Sequence, residues 1–242
     1  MLESPDMSPR TRTGRPIYLA SNSPRRRELL SLSGIEYGLL PAQVDETPLP
    51  GEDGIDYVKR IAYSKAFDAR NRLEVHGVII AADTAVVNGF GREKAEILGK
   101  PRDSKAAFEM LRNLRGHTHQ VFTAVTILPT QGDAIQSDLC TTDVPMRDYT
   151  DDEIEAYIAS GDPMDKAGAY AIQHAGFHPV DHLSGCYANV MGLPLCHVVR
   201  NLRHQDVYPP VDIAQACQAA LKYNCPVYKH FLNDNNTDLA MS

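Results

Sequence analysis

Ser21-Asn22-Ser23-Pro24-Arg25-Arg26-Arg27 stands directly after the short apolar run Ile17–Ala20. Ser23 suits an N-cap and Pro24 the first helical position, so this stretch opens a helix. A helix start offers unpaired backbone N–H groups and the positive end of the peptide dipole. Hydroxyls and forked guanidiniums add further donors, and together these suit a phosphate. Three successive arginines in a first turn oppose the dipole, which asks for an anion. A solvated basic helix end is the competing reading, and on these residues alone the two stand level.

Asp83 ends the apolar run Val78–Ala82. Ligand sites of α/β sheets lie at strand carboxyl ends, where a carboxylate can hold Mg²⁺ or take a proton from water; an aspartate making a turn is the ordinary alternative. Val44-Asp45-Glu46-Thr47 adds carboxylates in a proline-flanked loop, which by themselves read as solvated charge. Gly99-Lys100 is no P-loop, because Pro101 replaces the required Ser or Thr and Lys94 stands where the first glycine belongs. The same Lys94 spoils Gly89-Phe90-Gly91 as a dinucleotide fingerprint. His174, His178 and His182 have the spacing of helix-borne metal ligands, but Gly176 and Pro179 would break that helix. The chain contains neither a Gly-x-Ser-x-Gly elbow nor His-Glu-x-x-His, which removes the usual serine-hydrolase and zinc-protease readings.

These groups need a scaffold, and 242 residues, 43% hydrophobic and 23% charged, suffice for one large α/β domain or two small ones. A net charge of −7 argues against a surface built to neutralise nucleic acid or an anionic membrane. No apolar run reaches transmembrane length, and the N-terminal stretch with Glu3 and Asp6 lacks an apolar secretory core, so a cytoplasmic location is expected. Five cysteines without a Cys-x-x-Cys pair read as reduced, mostly buried thiols.

Periodicity and punctuation place helices from Pro24 to about Leu32, over Gly54–Leu73 and Ser104–Leu114, and from Leu195 to Leu202. Thr150-Asp151-Asp152-Glu153 has capping-box spacing and opens another helix. Strands are expected over Val78–Ala82, continuing as Ala85–Val87, and as Gln120–Leu128 and Ala134–Val144 around a hairpin at Gly132. The alternation argues for α/β architecture, and the hairpin for a mixed sheet. Residues 1–15 read as a flexible lead-in, 16–204 as the functional domain, and 205–242 as an extension with one helical segment around Ile213–Tyr223.

The motifs, taken together, resemble the Maf family of nucleoside triphosphate pyrophosphatases. They are Ser21-Asn22-Ser23-Pro24-Arg25-Arg26, Val44-Asp45-Glu46, Tyr63-Ser64-Lys65-Ala66, Ala82-Asp83-Thr84, Gly99-Lys100-Pro101, Ser160-Gly161-Asp162-Pro163, Asp165-Lys166-Ala167-Gly168-Ala169-Tyr170 and Val190-Met191-Gly192-Leu193-Pro194. Singly each is weak, but their common order from Ile17 to Leu202 is specific. The resemblance implies a mixed α/β fold with two lobes around a cleft, a divalent cation (Mg²⁺ or Mn²⁺), hydrolysis to monophosphate and pyrophosphate, and a homodimer as one assembly. By the same matching Asp83 is the catalytic proton acceptor and Glu46 assists Asp83 at the metal. Arg26, Lys65 and Lys100 meet the phosphates, Ser21 and Ser23 line their loop, and Arg25, Thr84 and Gln173 distinguish substrate branches. This combination resembles the branch acting on dTTP and UTP. Two carbonyl acceptors flanking one N–H donor on thymine or uracil can be matched by a guanidinium and an amide. A pyrophosphatase for deaminated purine triphosphates and a nucleotide-binding regulator of septum formation are the alternatives; the presence of Asp83 favours an enzyme.

Overall fold

The computed structural model describes residues 14–91, 95–132 and 134–232. Most of the expected lead-in, and residues 233–242 of the expected extension, lie outside the described residues. In chain order the elements are β1 (Ile17–Leu19), α1 (Pro24–Ser31), β2 (Gly38–Leu39), α2 (Gly54–Asn71), β3 (Val78–Asn88), β4 (Glu96–Leu98), α3 (Ser104–Leu114), β5 (Thr118–Pro129) and β6 (Gln136–Pro145). They continue as α4 (Asp151–Ala159), 3₁₀ turns at Asp162–Asp165 and Ala167–Ala169, α5 (Tyr187–Met191), α6 (Leu195–Arg203), α7 (Ile213–Leu221) and α8 (Tyr228–Leu232).

The sheet is mixed, in the order β2-β1-β3-β5-β6, with β4 also on β3. The long strands β3, β5 and β6 form an antiparallel meander, while β1 runs parallel to both β2 and β3. Helix ends follow local chemistry. Ser23 accepts the Arg26 N–H at the start of α1, Asp53 accepts two N–H groups at the start of α2, and Thr150 and Glu153 complete the capping box of α4.

The placement of Asp83 at a strand end is corrected by the structure. β3 runs unbroken through Asp83, which faces Ala124 of β5 inside a ladder extending from Val78 to Val87. Ladder bonding to β5 carries the backbone past the polar pair Asp83-Thr84 that ends the apolar run in the sequence. The strand that does end here is β1, whose pairing with β3 covers only Val78–Ile80, while β4 pairs with Val86–Asn88. Because β5 occupies the other edge of β3, β1 and β4 share one edge and leave it split between them. Asp83 and Thr84 sit in that split.

The two halves of β3 also belong to two apolar cores. Val78, Ile80 and Ala82 join Ile17, Leu29, Val125, Val198 and Leu202, while Val86 joins Leu98, Leu111, Leu114, Val144 and Tyr149. The opposite face of β3 is covered by α2, with Ala66 and Ala69 against Ile79 and Ala81, and Val58 and Ala62 against Ala85 and Val87. These halves form two lobes, with the split edge between them. The extension is not a loose tail over its described length: Val207 and Ile213 are buried in the first core, and Cys217, Leu221, Val227 and Leu232 pack on it. Among the described residues no helix is long and apolar enough to cross a membrane.

Candidate active site

Side chains alternate between faces along a strand, so Asp83 and Thr84 point to opposite sides of the sheet. Asp83 faces α2. Helix α2 buries a stripe of Val58, Ile61, Ala62, Ala66 and Ala69, and Lys65 lies within that stripe. A cation in an apolar stripe needs a partner: Lys65 Nζ donates to Asp83 Oδ1 at 2.7 Å and pairs with Glu46 Oε1 at 2.7 Å. Asp83 Oδ2 is buried without a hydrogen-bond partner. Burial pushes the Asp83 carboxyl above its ordinary range, outweighing the opposing pull of Lys65 and Arg26.

Thr84 faces α1 and α5. Its hydroxyl accepts from Arg26 Nη2 at 3.0 Å and lies 3.0 Å from the Thr123 hydroxyl. Arg26 Nε donates to the carbonyl of Gly192, the residue that ends α5, at 2.8 Å. Burial lowers the Arg26 pKa, partly offset by Asp83 and Glu46. Thr123 in turn donates to the Asn189 carbonyl at 3.2 Å, and Asn189 Nδ2 donates to the Val121 carbonyl and the Thr142 hydroxyl, both at 3.0 Å. Buried hydrogen bonds of this kind fix a long side chain that would otherwise sample many rotamers.

The cleft, about 350 Å³, opens between the β1–α1 loop and the segment running from Asp165 to Gln173. All ten residues singled out in the sequence line it: Ser21, Ser23, Arg25, Arg26, Glu46, Lys65, Asp83, Thr84, Lys100 and Gln173. Ser21 Oγ accepts the Ser23 N–H and Ser23 Oγ, in its N-cap position, accepts the Arg26 N–H, bonds that shape the loop and do not use the hydroxyl protons. The Thr84 hydroxyl is engaged by Arg26. Arg25 and Gln173 stand on opposite walls.

The far wall bends sharply. Gly168 adopts φ +70°, and a Cβ there would come within 3.0 Å of Val86 Cγ1; Ala169 is also left-handed at φ +58°. The Gly168 N–H donates to the Gly99 carbonyl at 3.1 Å, which ties this wall to the Lys100 loop. A residue given no role by sequence reasoning lies here as well: Lys166 lines the cleft with its side chain buried against Asp162 and Asp165. The fourfold spacing of Asp162 and Lys166 was the legible hint. In total five cations face three carboxylates, a net positive hollow in an acidic protein.

Asp83 and Glu46 are the residues that could hold a metal. Among the described residues no group of three or more metal-ligating side chains converges anywhere, so a protein cage is not formed. Two carboxylates, one with an unpartnered oxygen, match the way Mg²⁺ is held, with water and substrate phosphates completing its oxygen shell.

A mixed α/β sheet split at one edge, with a buried carboxylate and clustered cations in the gap, forms a cleft whose charge suits a polyanion. The sequence matches the Maf-like protein family over residues 16–205, and the chain belongs to that family. It is 43% identical over 187 residues to the dTTP/UTP pyrophosphatase of Geobacter sulfurreducens, covering 77% of this chain and 95% of that protein. It is 46% identical over 187 residues to the dTTP/UTP pyrophosphatase of Geotalea uraniireducens, covering 77% and 93%. Among solved structures, the Staphylococcus aureus Ham1 protein aligns with a TM-score of 0.41 at 16% identity, covering 85% of this chain and 97% of that one, a distant likeness.

Proposed function

We propose that this protein hydrolyses dTTP and UTP to the nucleoside monophosphate and pyrophosphate. The observation that carries the reading is the state of Asp83: one oxygen anchored by Lys65, the other buried, unpartnered and next to the cationic cleft. The identity to relatives that bear this activity in their names supports the substrate class.

Attack of water at the α-phosphorus needs a proton acceptor, charge neutralisation on the phosphates and alignment, with little covalent chemistry from the protein. Asp83 takes the proton from water, and its raised pKa makes it a stronger base than an exposed aspartate. Arg26, Lys65 and Lys100 bind the triphosphate and neutralise charge on the departing pyrophosphate. Ser21 and Ser23 hold the loop that presents Arg26. Glu46 and Asp83 would hold Mg²⁺ or Mn²⁺, which would supply Lewis-acid stabilisation of the phosphate oxygens. Arg25 and Gln173 meet the base, complementing the acceptor–donor–acceptor edge of uracil or thymine. Thr84 contributes to substrate choice through Arg26. The nucleotide is the partner this site fits, and the cytoplasmic nucleotide pool is where we place the reaction.

The test is a panel of nucleoside triphosphates with purified protein and Mg²⁺ or Mn²⁺, scoring pyrophosphate separately from orthophosphate. Pyrophosphate with the monophosphate, fastest from dTTP and UTP, is the expected result. Orthophosphate as the sole primary product overturns the reaction, and a preference for inosine triphosphate overturns the substrate class.

A further inference from the structure

Arg25 stands at one end of a chain of polar contacts that follows the opposite wall of the cleft. Its guanidinium Nη1 lies 3.6 Å from Asp165 Oδ2, and among the described residues Asp165 is its one ion-pair partner. Asp165 Oδ1 accepts from Lys166 Nζ at 2.6 Å. The same ammonium donates to the Asp162 carbonyl at 2.5 Å and to Asp162 Oδ1 at 3.0 Å. Asp162 Oδ2 accepts the Tyr157 hydroxyl at 2.6 Å, and that hydroxyl accepts the Ala171 N–H at 3.0 Å. Ala171 precedes Gln173 by two residues. Asp165, Lys166, Asp162 and Tyr157 therefore link the Arg25 guanidinium to the backbone of the segment that carries Gln173, two residues before it.

Lys166 has three N–H donors and all three are taken, so its charge is committed to the wall and not to a phosphate. The consequence falls on Asp165. Its side chain is 65% exposed, and an exposed ion pair with Arg25 adds little to stability. Held by a buried lysine, however, the same carboxylate restricts where the Arg25 guanidinium can go. A guanidinium recognises a carbonyl edge through fixed N–H directions, so restricting it sharpens discrimination.

We propose that Asp165 is a specificity-determining positioning residue, which Lys166 fixes in place and which sets Arg25 against the segment ending at Gln173. The inference deepens the pyrimidine-triphosphate reading and rests on it.

The test compares full-length wild type, Asp165→Asn, Arg25→Ala and the double variant, measuring kcat/KM for dTTP and dGTP. In parallel, Kd is measured for a non-hydrolysable dTTP analogue, which gives an answer even where turnover is slow. Asp165→Asn is expected to lower the dTTP-to-dGTP ratio about fivefold, the scale of one hydrogen bond. Because Lys166 keeps Asp162 and an amide oxygen can still accept from it, the variant should stay folded with at most a small fall in Tm, and in the Arg25→Ala background the substitution should change the ratio no further. An unchanged ratio, an equal loss on both nucleotides, or an equal drop with and without Arg25 overturns the positioning role. A wild type that does not prefer dTTP overturns the substrate reading itself, and the inference with it, before any variant is compared.

Discussion

Replacing Asp83 by Asn preserves shape while removing the basic oxygen, and the surroundings predict three separable effects. The first is on rate. Loss of a general base costs about 10²- to 10⁴-fold, so kcat should fall by at least about 100-fold. The second is on stability. Removing one partner of a buried ion pair costs about 3–5 kcal/mol when the other is stranded, but Lys65 keeps Glu46 at 2.7 Å, so the loss should stay below that range. The third is on binding. The cleft would change from five cations against three carboxylates to five against two. One fewer negative charge at a separation of about 7 Å, with an effective dielectric between 20 and 80, is worth roughly 0.6–2.4 kcal/mol, or about 3- to 60-fold in Kd. With the metal chelated, the variant should thus bind dTTP at least as tightly as wild type while turning it over far more slowly with metal present. Calorimetric titration in chelator, beside a pyrophosphate-release assay, measures both. A kcat within tenfold of wild type would refute Asp83 as the base, and weaker metal-free binding would refute the electrostatic argument.

Because burial raises the Asp83 pKa, the metal-free protein in chelator should show a carboxyl titration by NMR that Asp83→Asn abolishes and whose midpoint lies above the ordinary aspartate range; a midpoint at or below about 4 contradicts this. Stability has a second pH dependence. Burial holds the His119 and His197 imidazoles down to about 4, so the unfolded chain binds more protons as pH falls from about 6.5 to 4. Their contribution is complete above pH 6.5 and is lost across that window, by about 3 kcal/mol per histidine. His197→Leu should flatten the fall in Tm between pH 7 and 5, and an unaltered slope would exclude His197 as a source. Truncation after His204 leaves every cleft-lining residue in place but strips Val207 and Ile213 from the first core, so the shortened protein should keep its substrate preference and lose at least about 2–5 kcal/mol of stability in denaturant unfolding, the cost of one large core side chain. A truncated protein that stays folded but is inactive would show that the extension takes part in catalysis.

The sequence by itself determined the elements whose signals are local. Ser23-Pro24, Asp53 and the Thr150–Glu153 box start helices through bonds within a few residues, and the apolar stripes of α2 and α3 repeat at helical spacing. The ordered motifs likewise carried the family and the identity of the cleft residues. Short strands β2 and β4, at two and three residues, carry too little alternation to be read, and they exist because β1 and β3 offer edges. Tertiary structure alone decided the split edge that exposes Asp83 in mid-strand. That gap arises because β1, sixty-one residues upstream of its partners on β3, stops at Leu19, while the local pairing of β4 reaches back only to Val86. It also decided which charge answers which. Lys65 meets Asp83 because α2 lies across that face of β3, Arg26 meets Thr84 on the other face, and Arg25 meets Asp165 across the cleft. Charge pairs of this range are set by how the elements pack, because Coulomb attraction depends on separation in space and leaves no periodic trace along the chain.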